Sequence, residues 1–220
     1  GNPGLKPSFT NNFNLSYSNF IQNHSRFINA DMSFATTKNS ISNMVTYDDV
    51  TGARTTRPEN INGNWNIKGN ITFCTSIDST GTWYTNTGTH AGFSNSVGYL
   101  TLNRTSGVQK NRTQTLNLKE QLDFGYRNDW LEAELNGSIS YTHGRNKLQS
   151  QSNLDTWQFS YGATITLNTP WGTALSSNIK EQSRRGYSDN SMNTNELLWN
   201  AQISQGLLKG KPLTVMLQFY

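Results

Sequence analysis

The chain has 220 residues, enough for one large domain, and carries a net charge of +4. Only 33% of it is hydrophobic and 15% charged, yet it holds six Trp, nine Tyr and ten Phe. A disordered chain would be poor in aromatics and strongly charged, so order is expected. Lys and Arg are spread along the chain rather than clustered on one element with aromatics between them, which argues against nucleic-acid binding. Cys74 is the single cysteine, so neither an internal disulfide nor a Cys-x-x-Cys zinc site can form. No stretch reaches the roughly 18 apolar residues of a membrane helix, but strands cross a bilayer with only about 9–11 residues apolar at alternate positions.

In chain order, the dominant signal is a period of two, which places alternate side chains on opposite faces of a strand. Phe9, Phe13, Leu15, Tyr17 and Ile21 share one parity, and Ile28, Ala30, Met32 and Phe34 the next. Trp65, Ile67, Ile71, Phe73 and Ile77 follow, then a weaker set of Trp83, Ala91, Phe93, Val97 and Tyr99. Leu116, Leu118, Leu122, Phe124 and Tyr126 oppose Thr115, Asn117, Lys119, Gln121 and Asp123, with Glu120 as the exception on the apolar side. Leu131, Ala133, Leu135, Ile139 and Tyr141 oppose Glu132, Glu134, Asn136, Ser138 and Ser140. Trp157 through Leu167, Trp171 through Ile179, Leu197 through Ile203, and Leu213 through Phe219 complete the series.

These runs predict ten strands near 9–21, 27–38, 61–77, 82–98, 112–127, 130–143, 153–167, 171–182, 192–206 and 213–220, with almost no helix. The fold class expected is all-β: an antiparallel up-and-down meander of about ten long strands, part of or curled into a β-barrel. Residues 1–220 would form a single, partial barrel domain. Several runs exceed 13 residues, whereas globular strands average about 5–6.

The connections alternate in length. Gln22–Arg26, Asp78–Gly81, Asn128-Asp129, Asn168–Pro170 and Leu207–Pro212 are short. Asn39–Asn60, Gly98–Asn111, Gly144–Ser152 and Ser183–Ser191 are longer. Outer-membrane barrels have this asymmetry, with short periplasmic turns and longer extracellular loops. Trp83, Tyr126, Trp130, Tyr141 and Trp171 lie near strand ends, where interfacial aromatic girdles form. A soluble sandwich with one wet face would give the same alternation, but would need a second sheet over the apolar face.

Three segments carry a resemblance. Gly1-Asn2-Pro3-Gly4-Leu5-Lys6-Pro7 resembles the Gly-Asn-Pro-x-Leu-Lys-Pro motif in the barrel of TonB-dependent receptors. Thr56-Arg57-Pro58-Glu59-Asn60 and Asn95-Ser96-Val97-Gly98-Tyr99 resemble stretches of the barrel family common in Bacteroidetes. The resemblance implies a bacterial outer-membrane location, a plugged barrel of about 22 strands, and nutrient uptake driven through TonB. The partners it implies are outer-membrane lipid, the rest of the barrel with its plug, and an extracellular nutrient. In such receptors the plug lies N-terminal to the barrel, so these residues alone are expected to have no transport activity.

Catalytic, cofactor and metal sites find no support. His24, His90 and His143 have no ligand-spaced partner. Glu132 and Glu134 share a polar face, where charges line a lumen. Asp48-Asp49 reads as a loop-tip turn rather than a calcium loop. Two rival functions remain: a secreted β-rich adhesin or glycan-binding module, and an outer-membrane hydrolase using lumen carboxylates. Strand parity adds a further expectation. The first and last strands both have their free ends at the long-loop rim, so the chain should be a segment of a larger barrel with two unpaired edges. Alone, it should curl with the apolar face inward or associate with itself.

Overall fold

A computed structural model describes residues 2–48, 50–103, 105–207 and 214–219. Ten strands form one antiparallel meander: β1 (Phe9–Ile21), β2 (Arg26–Lys38), β5 (Asn64–Ser76), β6 (Trp83–Thr101), β7 (Val108–Arg127), β8 (Leu131–Asn146), β9 (Leu154–Asn168), β10 (Thr173–Arg185), β11 (Asn195–Gly206) and β12 (Thr214–Phe219). Each pairs with its neighbour in that order, β2 directly with β5. Between those two the chain makes a separate hairpin of β3 (Ser40–Tyr47) and β4 (Arg54–Ile61). The only helical pieces among the described residues are three single 3-10 turns.

The period of two survives intact in the register. Phe13 faces Phe34, Phe34 faces Ile67, and Ile67 faces Phe93. Further along, Leu118 faces Tyr141 and Leu135 faces Ala163. Apolar side chains therefore collect on one face and polar ones on the other. Below the Tyr141–Trp157 pair, two acids sit on the apolar face, each tied to a hydroxyl donor. Thr89 Oγ1 donates to Glu120 Oε2 at 2.6 Å, and Tyr161 OH to Glu181 Oε2 at 2.7 Å.

Almost nothing is buried. Among the described residues only Ile61 and Tyr84 are buried apolar side chains, while Phe13, Leu135 and Leu197 are each more than 60% exposed. No second layer covers the apolar face, because the main strands all lie in one sheet. The soluble-sandwich alternative required that cover. The sheet is open: β1 and β12 are its edges and do not meet. The expected inward curl of the apolar face is therefore not seen among the described residues.

The register also fixes a tilt. Tyr84, Gly125, Glu134, Thr164 and Asn178 lie in one row across the sheet. Tyr84 is the second residue of β6, Glu134 the fourth of β8 and Asn178 the sixth of β10. The row thus climbs one residue per strand. With a rise of about 3.3 Å per residue and a strand spacing of about 4.8 Å, that shear is a tilt of about 35°, within the range of closed barrels.

Two corrections concern the connections. Asn39–Asn60, read as a long loop, is mostly the β3–β4 hairpin. Gly98–Asn111 is mostly strand: β6 and β7 remain paired as far as Thr101 and Val108. The connection at Leu207–Pro212 lies largely outside the described residues.

Candidate functional site

The apolar face has a defined height. On β8 it runs from Leu131 to Tyr141, ten residue steps, which at this tilt span about 27 Å. An outer-membrane barrel presents a band of about 25 Å. Aromatics mark both borders. Toward the short turns, the Trp83 ring lies 4.8 Å from Tyr126 and 5.6 Å from Phe124, with Trp130 and Trp171 exposed in the turns beside them. Toward the long loops, the Tyr141 and Trp157 rings lie tilted with centroids 4.4 Å apart. At the other end of the sheet, Phe13, Phe34, Trp65 and Phe93 form a chain of ring contacts with centroids 5.3–6.3 Å apart.

The polar face holds a groove of about 470 Å³ lined by Lys119, Asp123, Glu134, Ser138, Asn178 and Lys180. Near its short-turn end, Tyr84 lies flat over Gly125, where a β-carbon would fall 2.2 Å from Tyr84 Cζ. The Tyr84 hydroxyl is within hydrogen-bond reach of Glu132 Oε1 (3.2 Å) and Glu134 Oε2 (3.0 Å). The Arg127 guanidinium sits 5.1 Å from the Tyr84 ring centroid. The paired glutamates that sequence reasoning singled out are thus acceptors for a tyrosine on the polar face.

The histidines are dispersed. His24 meets the Ser76 carbonyl in a short turn, and His90 contacts Asn70 on the polar face. His143 lies above the Tyr141–Trp157 border, its Nδ1 2.6 Å from Asp155 Oδ1. Arg145 Nη2 donates to Asp155 Oδ2 at 2.8 Å. No group of three or more metal-ligating side chains gathers among the described residues. Asp48 accepts from the backbone of Val50 and Thr51 and from the Thr51 hydroxyl, which makes it a turn-tip cap. Asp49 lies outside the described residues.

What sequence reasoning missed is that its three resemblance-bearing segments meet. Asn60 Nδ2 donates to the carbonyls of Lys6 and Asn39, both at 2.9 Å. Its Oδ1 accepts from Lys6 N at 2.7 Å, and its backbone carbonyl from Tyr99 OH at 3.0 Å. Asn2 Nδ2 donates to Pro58 O, and Arg57 Nη2 to Asn2 Oδ1. One clasp at the long-loop rim therefore ties the N-terminal segment, the hairpin and β6 together. Asparagine suits the hub because its side chain both donates and accepts.

A tilted antiparallel wall with a bilayer-high apolar face, aromatic borders and a polar opposite face defines a membrane-spanning β-barrel protein. The sequence profile of the Outer membrane protein beta-barrel family matches residues 1–130, and the chain belongs to that family, in the bacterial outer membrane. No curated protein matches it.

Proposed function

We propose that this chain is a wall of the barrel of a TonB-dependent nutrient receptor. In this reading it is a segment of a larger barrel, non-enzymatic, and without transport activity of its own. The observation that carries the reading is the open ten-stranded sheet. It has barrel-type shear and two unpaired edges, so further strands are needed to enclose a lumen. The resemblance of Asn2–Pro7 to the receptor motif supports the same reading, as does a polar face built for a wet or plugged interior. The polar groove would face the plug and passing solute, and the long-loop rim would contribute contacts to the nutrient. The adhesin alternative loses its main requirement, since no sheet covers the apolar face. In the hydrolase alternative the paired carboxylates Glu132 and Glu134 would have to act, and both are engaged by Tyr84.

The test has two arms. The chain alone, reconstituted into planar bilayers, is expected to give no reproducible ligand-dependent conductance; such conductance would overturn the segment reading. In cells, deleting β8–β9 from the parent gene is expected to abolish energy-dependent uptake of one nutrient. Uptake that survives both that deletion and collapse of the proton-motive force would overturn the receptor reading.

A further inference from the structure

The chain carries two Asn-Gly steps, Asn62-Gly63 and Asn136-Gly137. In such a step no β-carbon shields the backbone nitrogen that follows the asparagine, so this nitrogen can attack the asparagine's own side-chain amide. The two steps lie in opposite settings. Gly137 is inside β8, paired with Leu122 on one side and Tyr161 on the other, so its peptide is held in the ladder. Asn62-Gly63 is the exposed connection between β4 and β5, at the long-loop rim. Gly63 N–H has no acceptor, and Asn62 Nδ2 no protein partner, among the described residues. The glycine is imposed by the fold: its φ is +126°, and a β-carbon would fall 3.1 Å from Val97 Cγ1.

Two hydrogen bonds sit where the attack would build charge. Asn62 O belongs to the same peptide group as Gly63 N, and it accepts from Lys110 Nζ at 2.6 Å. Loss of the Gly63 N–H proton spreads negative charge onto that oxygen, and an ammonium beside it favours the loss. Asn62 Oδ1 accepts from Asn39 N at 2.7 Å. When Gly63 N adds to Asn62 Cγ, Oδ1 becomes the anion of a tetrahedral intermediate, with a backbone donor already in place. Asn39 is itself held by the clasp, its Nδ2 donating to Pro7 O and its carbonyl accepting from Asn60 Nδ2. The amide oxygen is therefore gripped while Nδ2 is left free to depart.

We propose that Asn62-Gly63 is a self-modification site, at which the chain converts Asn62 to an acid and loosens the β3–β4 hairpin. Gly63 N gives its proton to hydroxide and bonds to Asn62 Cγ. The Cγ–Nδ2 bond breaks, and Nδ2 leaves as ammonia with a proton from water. Water then opens the cyclic imide at either carbonyl. One product is an aspartate; the other is an isoaspartate, whose main chain runs through the former side chain. No oxidant or cofactor takes part. Either product sets a carboxylate beside Lys110. The isoaspartate also adds a backbone carbon between Asn60, the hub of the clasp, and Asn64, whose Oδ1 accepts from Val97 N at 2.7 Å. The hairpin's seat against β6 is thereby displaced. The proposal does not rest on the receptor reading.

The test incubates the full chain at neutral pH, folded in detergent and unfolded in urea, and locates isoaspartate by peptide mass spectrometry and isoaspartyl methyltransferase labelling. In the folded chain Asn62 is expected to convert about tenfold faster than Asn136, whose nitrogen must first leave the ladder. It should also convert at least as fast as in urea, where the two steps should react alike. Lys110→Met should slow Asn62 by about tenfold through loss of the charged donor, and Lys110→Arg should restore the rate. Protease cleavage of the hairpin should rise in step with conversion. In Asn62→Gln, whose longer side chain closes a ring slowly, cleavage should stay constant over the same incubation. Equal conversion of Asn62 and Asn136 in the folded chain, slower reaction of Asn62 folded than in urea, indifference to Lys110→Met, or cleavage that does not follow conversion would overturn the proposal. Should a variant fail to fold, the folded-against-urea comparison on the unsubstituted chain decides the matter.

Discussion

At the scale of single residues, the sheet depends on a few close fits. Gly125 is required by Tyr84, whose ring occupies the space a β-carbon would take. Gly125→Ala is expected to cost about 1–3 kcal/mol in denaturant unfolding of the detergent-held chain, the usual range for overpacking. Combined with Tyr84→Ala, the same change should cost much less than the sum of the single effects, because the clash has been removed. Additive costs would show that the ring does not impose the glycine. Asp48 offers a pH-dependent counterpart. Hydrogen bonds from the Thr51 backbone and hydroxyl, and then from the Val50 backbone, hold its carboxyl below the ordinary carboxylate range. A carboxyl lowered in the folded state stabilises the turn at neutral pH and loses that contribution as pH falls through its folded value. Protease nicking of the β3–β4 tip should therefore rise only below about pH 4, and Asp48→Asn should remove the pH step.

At the scale of elements, parity was legible and strand extent was not. The apolar positions from Leu116 to Tyr126 and from Leu131 to Tyr141 assign each face because lipid and lumen impose opposite demands on alternate residues. Leu135→Arg should accordingly destabilise the embedded chain by roughly 2–4 kcal/mol, and Asn136→Arg by several times less. Equal costs measured by heat-modifiability on gels would contradict the facing. Above the apolar band that demand ends. There the apolar parity carries only Val97 and Tyr99 on β6 and gives way to Lys110 and Arg112 opposite them on β7, so the strand reads as loop. The hairpin was missed for a related reason. Pro58 lies within β4 opposite Asn43, and proline usually argues against a strand. In a two-stranded ribbon, however, it has a free side on which to face. The alternating Ile41, Val45 and Tyr47 were the available sign. The Asn60 clasp was beyond pattern reading, since it joins residues 54 positions apart. Asn60→Ala should leave the far-UV strand signal intact while making the hairpin markedly more protease-sensitive. Unchanged cleavage would mean that the clasp does not hold it.

At the scale of the whole molecule, the sheet is a surface with two unfinished sides. β1 offers a 13-residue edge, and the described part of β12 a six-residue one. Unpaired edges recruit other strands. The isolated chain in detergent is expected to associate through them, and light scattering that finds only monomer would contradict this. The number of long strands and the barrel-type class were readable from the sequence because each strand repeats the same demand. The two unpaired edges were legible as well, from strand parity; what covers them was not, since that depends on partners that no local pattern encodes.

The uneven reach of the strands shapes what happens outside the membrane. β6 and β7, at 19 and 20 residues, rise about 20 Å beyond the Tyr141–Trp157 border, whereas β2 and β10 have 13 residues each. The folded hairpin is anchored to the tall part through Tyr99 and Thr101. The rim is thus a parapet with low ground on the β10 flank. A bulky molecule arriving over β6–β7 would meet a stiff, braced obstacle. One arriving over β10 would cross a far lower sill, so in the proposed receptor the skyline of the wall would steer approach before any side chain is touched.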